Sequence, residues 1–200
     1  MMTDSPKNAH QPTNDEPNPA LDEITLATES IYDGTVIRVQ VDTVLLPNGK
    51  AGRREIVRHN GAVAVLAIHN DRMLVVEQFR QPLGRTQVEI PAGKLELGED
   101  PADAIARELK EETGYTAKQL KLLYSFYTSP GFADELIHLY LADELEQGEA
   151  QLDEDEFLEM SAITLDEAYE QIRAGRISDA KTIMAVQAWH LIKQGVAPQS

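Results

Sequence analysis

The sequence predicts an α+β fold, in which β-strands predominate around two or three helices and a small antiparallel β element comes first. Three observations predict it. From about residue 22 the chain alternates apolar and polar residues in short runs broken by turn signals, which is typical of antiparallel strands. The stretch GAVAVLAIHNDRMLVVEQFR then holds two nearly continuous apolar runs, which indicate strands buried on both faces. A segment of helical periodicity follows them, so helix and sheet are expected to share one domain.

Composition limits the classes of protein to which the chain can belong. Its 200 residues, 42% of them apolar, suit one globular domain with small additions. A net charge of -16 argues against nucleic acid and acidic membranes as partners, although a divalent cation can still join an acidic protein to a nucleotide. The absence of cysteine excludes a disulfide scaffold, a thiolate zinc site and a cysteine nucleophile. With no apolar run of transmembrane length and no leader pattern, we expect a cytoplasmic protein.

The first 58 residues are predicted to hold a tail and a small β element. Residues 1–21 are rich in Pro, Asn and Asp and should be disordered. Residues 22–58 should form the β element, with strands near 23–31, 35–45 and 53–58. A sheet of two or three strands is marginal alone, so we expect this element to pack on a second subunit.

Residues 59–195 are predicted to form the main domain. Strands are expected at 62–68, 73–79, 87–90, 120–127, 135–141 and 157–163. Besides the helix discussed below, helices are expected at 164–174, where Thr164 and Glu167 form a capping box, and at 178–193. The last helix should turn an apolar face inward, and Trp189 should serve packing; this face comprises Ile183, Val186, Ala188 and Leu191. The acidic segment 143–156 is predicted to be a mobile loop.

The helix between the strands has clear end signals. Asp100 can cap its start, Pro101 suits the first helical position, and Gly114 can adopt the left-handed conformation that ends it. At about 100° per residue, one arc of the helix is apolar and should be buried. This arc comprises Ala102, Ile105, Ala106 and Leu109.

A neighbouring arc of the same helix is crowded with Glu108, Glu111 and Glu112. Like charges three and four residues apart destabilise a helix, and Arg107 can neutralise only part of this cluster. A divalent cation such as Mg²⁺, which prefers oxygen ligands, is the candidate for the remaining compensation. The alternative is an acidic face that is simply solvated.

The spacing of these residues resembles the Nudix box. Gly93 is followed after five residues by Glu99, and seven residues later by RELKEETG, which ends at Gly114. With average residue usage, fewer than roughly one chain in a million carries this pattern by chance. Tyr115 is a mild departure, because an aliphatic residue is more usual there. The segments EQFRQPL, IPAGK, TSPGFADE and DEDEF further resemble the ADP-ribose pyrophosphatases of this family, a subgroup commonly marked by a proline at the position of Pro130.

The resemblance implies a Nudix-type α/β/α sandwich with a mixed sheet. It also implies Mg²⁺-dependent hydrolysis of ADP-ribose to AMP and ribose 5-phosphate, with Mn²⁺ as an alternative metal. Other nucleoside diphosphate sugars or dinucleotides are the alternative substrates, and a non-catalytic nucleotide sensor is the alternative class. A homodimer is expected, because related enzymes exchange the N-terminal region across a two-fold interface.

The resemblance also implies roles for particular residues. The metal ligands are Glu108, Glu112, the backbone carbonyl of Ala92 and, in addition, Glu111. The substrate-binding residues are Arg54, Arg80, Glu89, Pro130 and Gly131. A loop glutamate should assist the attacking water, and matching the start of the following strand selects Glu156, with Glu154 second. Glu111 is a further catalytic candidate. Arg54 and Arg80 have surface ion pairs as their alternative interpretation, and each loop acid has simple solvation.

Overall fold

The computed structural model describes residues 17–151 and 157–196, and the chain divides into two compact units that meet in sequence between Arg58 and His59. The first unit is a three-stranded antiparallel sheet. Its strands, in the order β1-β2-β3, are β1 (Ile24–Asp33), β2 (Ile37–Leu45) and β3 (Ala51–His59). In the pairing of β1 with β2, Ile24 lies opposite Leu45.

The second unit contains a mixed sheet, a 3₁₀ turn (Gln81–Leu83) and three α-helices. The strands are β4 (Ala62–His69), β5 (Arg72–Arg80), β6 (Arg85–Glu89), β7 (Ala92–Lys94), β8 (Tyr115–Tyr127), β9 (Leu136–Gln147) and β10 (Leu158–Ile163). The helices are α1 (Pro101–Thr113), α2 (Leu165–Arg173) and α3 (Ala180–Lys193). The main strand order is β10-β5-β4-β9-β8, with β6 on β5 and β7 on β4. Strands β4 and β9 run parallel, which makes the sheet mixed.

Strand β4 separates two cores because its side chains alternate between the two faces of the sheet. Ala64 and Leu66 belong to the core that includes residues of α2 and α3. Val63 and Val65 belong to the core that includes Ile105 of α1. Helices therefore cover both faces of this strand, and the predicted α/β/α sandwich is confirmed.

The ends of α1 follow the sequence signals. The Asp100 side chain accepts a hydrogen bond from the Ala102 backbone N–H, and Gly114 ends the helix with a φ of 76°. The buried face, however, was only partly predicted. Ala106 is exposed, and Glu108 and Glu112 lie within the buried stripe rather than beside it. The reason is that the side of the helix that carries Ala104, Ile105 and Glu108 faces the sheet.

The prediction of a loop over 143–156 is wrong for its first third, because β9 continues to Gln147. Strand β8 begins at Tyr115, and the β8–β9 ladder pairs Tyr115 with Gln147. The acids on this extension face solvent, where the Lys118 ammonium lies 3.0 Å from the Glu146 carboxylate. Pairing with β8 thus makes this acidic segment a strand although its acids are exposed. Residues 152–156 lie outside the described part of the chain.

The last two helices have the predicted starts. The capping box of Thr164 and Glu167 is present, and α3 is capped by Asp179. Trp189 is buried as expected, whereas Leu191 is exposed, because the inner face of α3 runs through Thr182 and Ala185. In the described part of the chain, no helix is long and apolar enough to cross a membrane.

Candidate active site

Arg107 holds three carboxylates of the box segment together. Its Nη1 donates to Glu108 Oε1 at 2.9 Å and to Glu111 Oε2 at 3.0 Å, and its Nη2 donates to Glu99 Oε1 at 3.2 Å. Partial burial of the guanidinium opposes its charge, but the carboxylate charges, that of Glu108 first, outweigh burial and raise the pKa of Arg107. Arg107 is therefore a permanent cation within the acidic cluster.

The turn between β6 and β7 lies directly against the acidic face of α1. The backbone N–H of Ala92 donates to Glu112 Oε2 at 3.1 Å. A Cβ on Gly93 would lie 1.9 Å from Glu108 Oε1, so only glycine leaves room for this carboxylate. Both glutamates are buried, at 8% exposure for Glu108 and 4% for Glu112. The structure thus brings Glu108, Glu112 and the Ala92–Gly93 backbone together.

The donors gathered here have the chemistry of a divalent-cation site. Two buried carboxylates offer hard oxygen ligands, and an acidic face this crowded favours a cation. Within the described residues, no three Asp, Glu or His side chains already converge on one point. Arg107 instead occupies the space between Glu108 and Glu111. The chemistry of the donor set fits a divalent cation.

Arg80 and Glu89 form a bidentate ion pair beside this cluster. Arg80 Nε lies 2.8 Å from Glu89 Oε1, and Arg80 Nη2 lies 2.8 Å from Glu89 Oε2. Burial opposes the charge of Glu89, which is 2% exposed, but the hydrogen bond from Arg80 and the charge of Lys181 lower its pKa to about 2. Glu112 is close enough to help raise the pKa of Arg80, for which the Glu89 hydrogen bond is the main cause. The predicted residues Arg80 and Glu89 therefore lie together and next to the box carboxylates.

Two residues of α3, which were not predicted from the sequence, contact this pair and the strand that carries it from the other side. Lys181 Nζ donates to Glu89 Oε2 and, at 3.0 Å, to Asp179 Oδ1. Thr182 Oγ1 accepts from the backbone N–H of Ile90 at 3.0 Å. One signal was available: Lys181 stands in the first turn of a helix, where the helix dipole disfavours a cation.

The remaining predicted residues take no part in these clusters among the described contacts. Arg54 lies in the N-terminal unit and pairs with Glu23. Pro130 and Gly131 are exposed in the turn between β8 and β9. Glu154 and Glu156 lie outside the described residues.

Comparison with known proteins assigns the family. The model of the NUDIX domain matches residues 58–186, which include every residue of the clusters above. The chain belongs to the Nudix family. The resemblance seen in the sequence is thereby confirmed, and the chain is a Nudix hydrolase, a class that generally uses divalent cations.

Individual relatives of this Nudix chain are similar over most of their length. An ADP-ribose pyrophosphatase of Bacillus subtilis is 54% identical over 84% of this chain and 92% of its own. A methanol dehydrogenase activator of Bacillus methanolicus is 57% identical over 83% of this chain and 91% of its own. The crystal structure of an ADP compounds hydrolase matches 88% of this chain and 98% of its own with a TM-score of 0.74, and at 22% identity it supports the fold.

Proposed function

We propose that this Nudix hydrolase cleaves the diphosphate bond of ADP-ribose, giving AMP and ribose 5-phosphate. The observation that carries the proposal is the 54% identity to an ADP-ribose pyrophosphatase across nearly the whole of both chains. The box carboxylates Glu108, Glu111 and Glu112 are all present and grouped, which favours an active enzyme over a silent sensor. In the reaction, water attacks one phosphorus and the bridging oxygen leaves with the other phosphate.

Mg²⁺ is the proposed metal, with Mn²⁺ as the alternative. Glu108, Glu112 and the Ala92 carbonyl would hold it, with Glu111 as a further ligand once it leaves Arg107. When bound, the ion neutralises diphosphate oxygens and acidifies a water. Arg80 is proposed to bind the diphosphate. Its pairing with Glu89 uses two of its five N–H donors, which leaves the other three for phosphate oxygens.

Other substrate contacts and the base are proposed from the resemblance. Arg54 from the N-terminal unit, Glu89, and the turn at Pro130 and Gly131 are proposed to contact substrate. Glu156, with Glu154 second, is proposed to assist the attacking water, since metal ligation uses the helix carboxylates. Glu156→Gln should lower kcat by about 10² to 10⁴ while metal affinity changes little. If only Glu154→Gln shows that loss, the role moves to Glu154.

A substrate panel with Mg²⁺ tests the proposed activity. ADP-ribose is compared with other nucleoside diphosphate sugars and with dinucleotides by kcat/KM. GDP-mannose belongs in the panel, because a GDP-mannose pyrophosphatase of Cronobacter sakazakii is 34% identical over 72% of this chain. The proposal expects the highest kcat/KM for ADP-ribose. Equal or higher efficiency on another diphosphate would replace the substrate, and no turnover at all would favour the nucleotide-sensing alternative.

A second candidate function is activation of a dehydrogenase. The 57% identity to the methanol dehydrogenase activator favours it. Methanol oxidation by a purified methanol dehydrogenase, measured with and without this chain, tests it directly. Repeating the assay with Glu112→Gln separates activation through hydrolysis, which the variant would lose, from activation through binding alone.

We further propose a homodimer formed through the N-terminal unit, with Arg54 reaching the site of the partner. The exposed apolar side chains of β1, among them Ile24, Leu26 and Ile31, support this, because a small sheet with an apolar surface is marginal alone. Light scattering at micromolar concentration should give twice the chain mass of 22.2 kDa. A single chain mass would refute the dimer.

The net charge of -16 makes nucleic acid an unsuitable partner.

A further inference from the structure

Asp179 lies next to the ion pair of Arg80 and Glu89, to which Lys181 connects it. Arg80 and Glu89 neutralise each other, so the negative charge of Asp179 needs a further cation. Asp179 Oδ1 accepts from the backbone N–H and from the hydroxyl of Thr182, each at 3.0 Å, and so caps α3. Asp179 Oδ2 is buried with no hydrogen-bond partner among the described residues. Lys181 is the cation that contacts both this carboxylate and Glu89, and its side chain is only 13% exposed.

The four charged side chains form a neutral group, and one of its cations is partly exposed. Arg80 and Lys181 balance Glu89 and Asp179, and Arg80 is the most exposed of the four, at 40% of its side chain. Without Lys181, the buried carboxylate of Glu89 and the partly buried carboxylate of Asp179 would share Arg80 as their counter-ion. The guanidinium would then be drawn inward, and the local charge facing an anionic ligand would fall from zero to about minus one.

The same helix turn also fixes the backbone that carries the box. Thr182 is fully buried, and its hydroxyl oxygen accepts from the N–H of Ile90, which lies between Glu89 and the Ala92 turn. Lys181 and Thr182 therefore tie α3 to the strand end that presents Glu89 on one side and the Ala92 backbone on the other.

We infer that Lys181 is a positioning residue of the active site, which by pairing with Glu89 and Asp179 keeps Arg80 directed toward the diphosphate. The inference rests on the proposed function for the identity of the ligand, but not for the geometry. Lys181 itself is not proposed to touch substrate.

A double-mutant cycle tests whether Lys181 acts through Arg80. Lys181→Met should lower kcat/KM for ADP-ribose by about tenfold or more, mainly through KM, as expected for weakening one charged hydrogen-bonding group. In an Arg80→Gln background the same change should cost less than about twofold, because the two effects share one mechanism. Lys193→Met is the matched control: it removes a lysine of the same helix that pairs with Asp71 at the surface, and it should change nothing. Additive effects of the two substitutions would overturn the inference.

Charge restoration separates positioning from simple structural support. Asp179→Asn in combination with Lys181→Met returns the cluster to neutrality and keeps a good helix cap, so KM should recover most of its loss. A double variant no better than Lys181→Met would overturn the inference.

An NMR measurement tests the geometry independently of the proposed function. Should the wild type fail to hydrolyse ADP-ribose, the proposed function falls, but the Arg80 Nε–H signal in a ¹H–¹⁵N spectrum still reports the position of Arg80. That signal should shift or broaden in Lys181→Met and persist in Lys193→Met; an unchanged signal in Lys181→Met would overturn the inference.

Discussion

Replacing Gly93 by Ala should remove activity while leaving the fold intact. The new Cβ would lie 1.9 Å from Glu108 Oε1, 2.0 Å from Cδ and 2.5 Å from Cγ. Since ordinary contacts need about 3.5 Å, the carboxylate must retreat by about 1.5 Å. The displaced group is the end of a flexible side chain, so the free energy of unfolding should fall by only about 1 kcal/mol. A displacement of about 1 Å at a catalytic site can cost about 100-fold in rate.

The assay measures kcat/KM for ADP-ribose as a function of Mg²⁺ concentration, beside urea unfolding of the same preparations. We expect kcat/KM to fall by about 100-fold and the Mg²⁺ requirement to rise. Gly175→Asn is the control, because Gly175 has open space around its Cβ position. Its φ is 71°, a conformation that Asn tolerates. If Gly93→Ala keeps a rate within about threefold of wild type, Glu108 does not act from the position described here.

Three further predictions concern neighbouring residues. Glu112→Gln should abolish most activity, because a proposed metal ligand is lost, and near-normal turnover would contradict this. The metal-free variant should melt at an unchanged or slightly higher temperature, because one of several like charges is removed from α1. The pKa of Glu89 is lowered from its ordinary 4.5 to about 2, so its contribution to stability is complete above pH 4.5 and declines as the pH falls toward 2. The wild type should therefore lose about 2 kcal/mol of unfolding free energy between about pH 7 and pH 3. Glu89→Gln should not show this loss. Gly114→Ala should destabilise by about 2 kcal/mol or more in urea unfolding, because φ is 76° and the Cβ would lie 2.7 Å from the Ala150 backbone nitrogen; an equally stable variant would refute that packing.

The local signals of the box helix were sufficient to predict its position. Asp100, Pro101 and Gly114 act within one or two turns of chain, so their meaning does not depend on the rest of the fold. The same holds for the hairpin turn at Asn70 and Asp71, where φ is 50° and 58°. Strand pairs and caps of this kind can be predicted from sequence because few residues decide them.

The features that sequence reasoning missed depend on contacts between distant segments. The end of β9 looked like a loop because acidic residues predominate in it, whereas its pairing with β8 makes it a strand. The buried stripe of α1 was placed one position off because the direction of the sheet, rather than apolarity alone, decides which face is covered. Lys181 lies 92 residues from Glu89, and no local pattern joins them.

The central claim is that this chain hydrolyses ADP-ribose at the site formed by Glu108, Glu112 and the Ala92 turn. The most direct measurement incubates the wild type and Glu112→Gln with ADP-ribose and Mg²⁺ and quantifies the products by chromatography. The account predicts AMP and ribose 5-phosphate in equal amounts with the wild type, none without a divalent cation, and very little with the variant. Other products, or wild-type rates from Glu112→Gln, would contradict it.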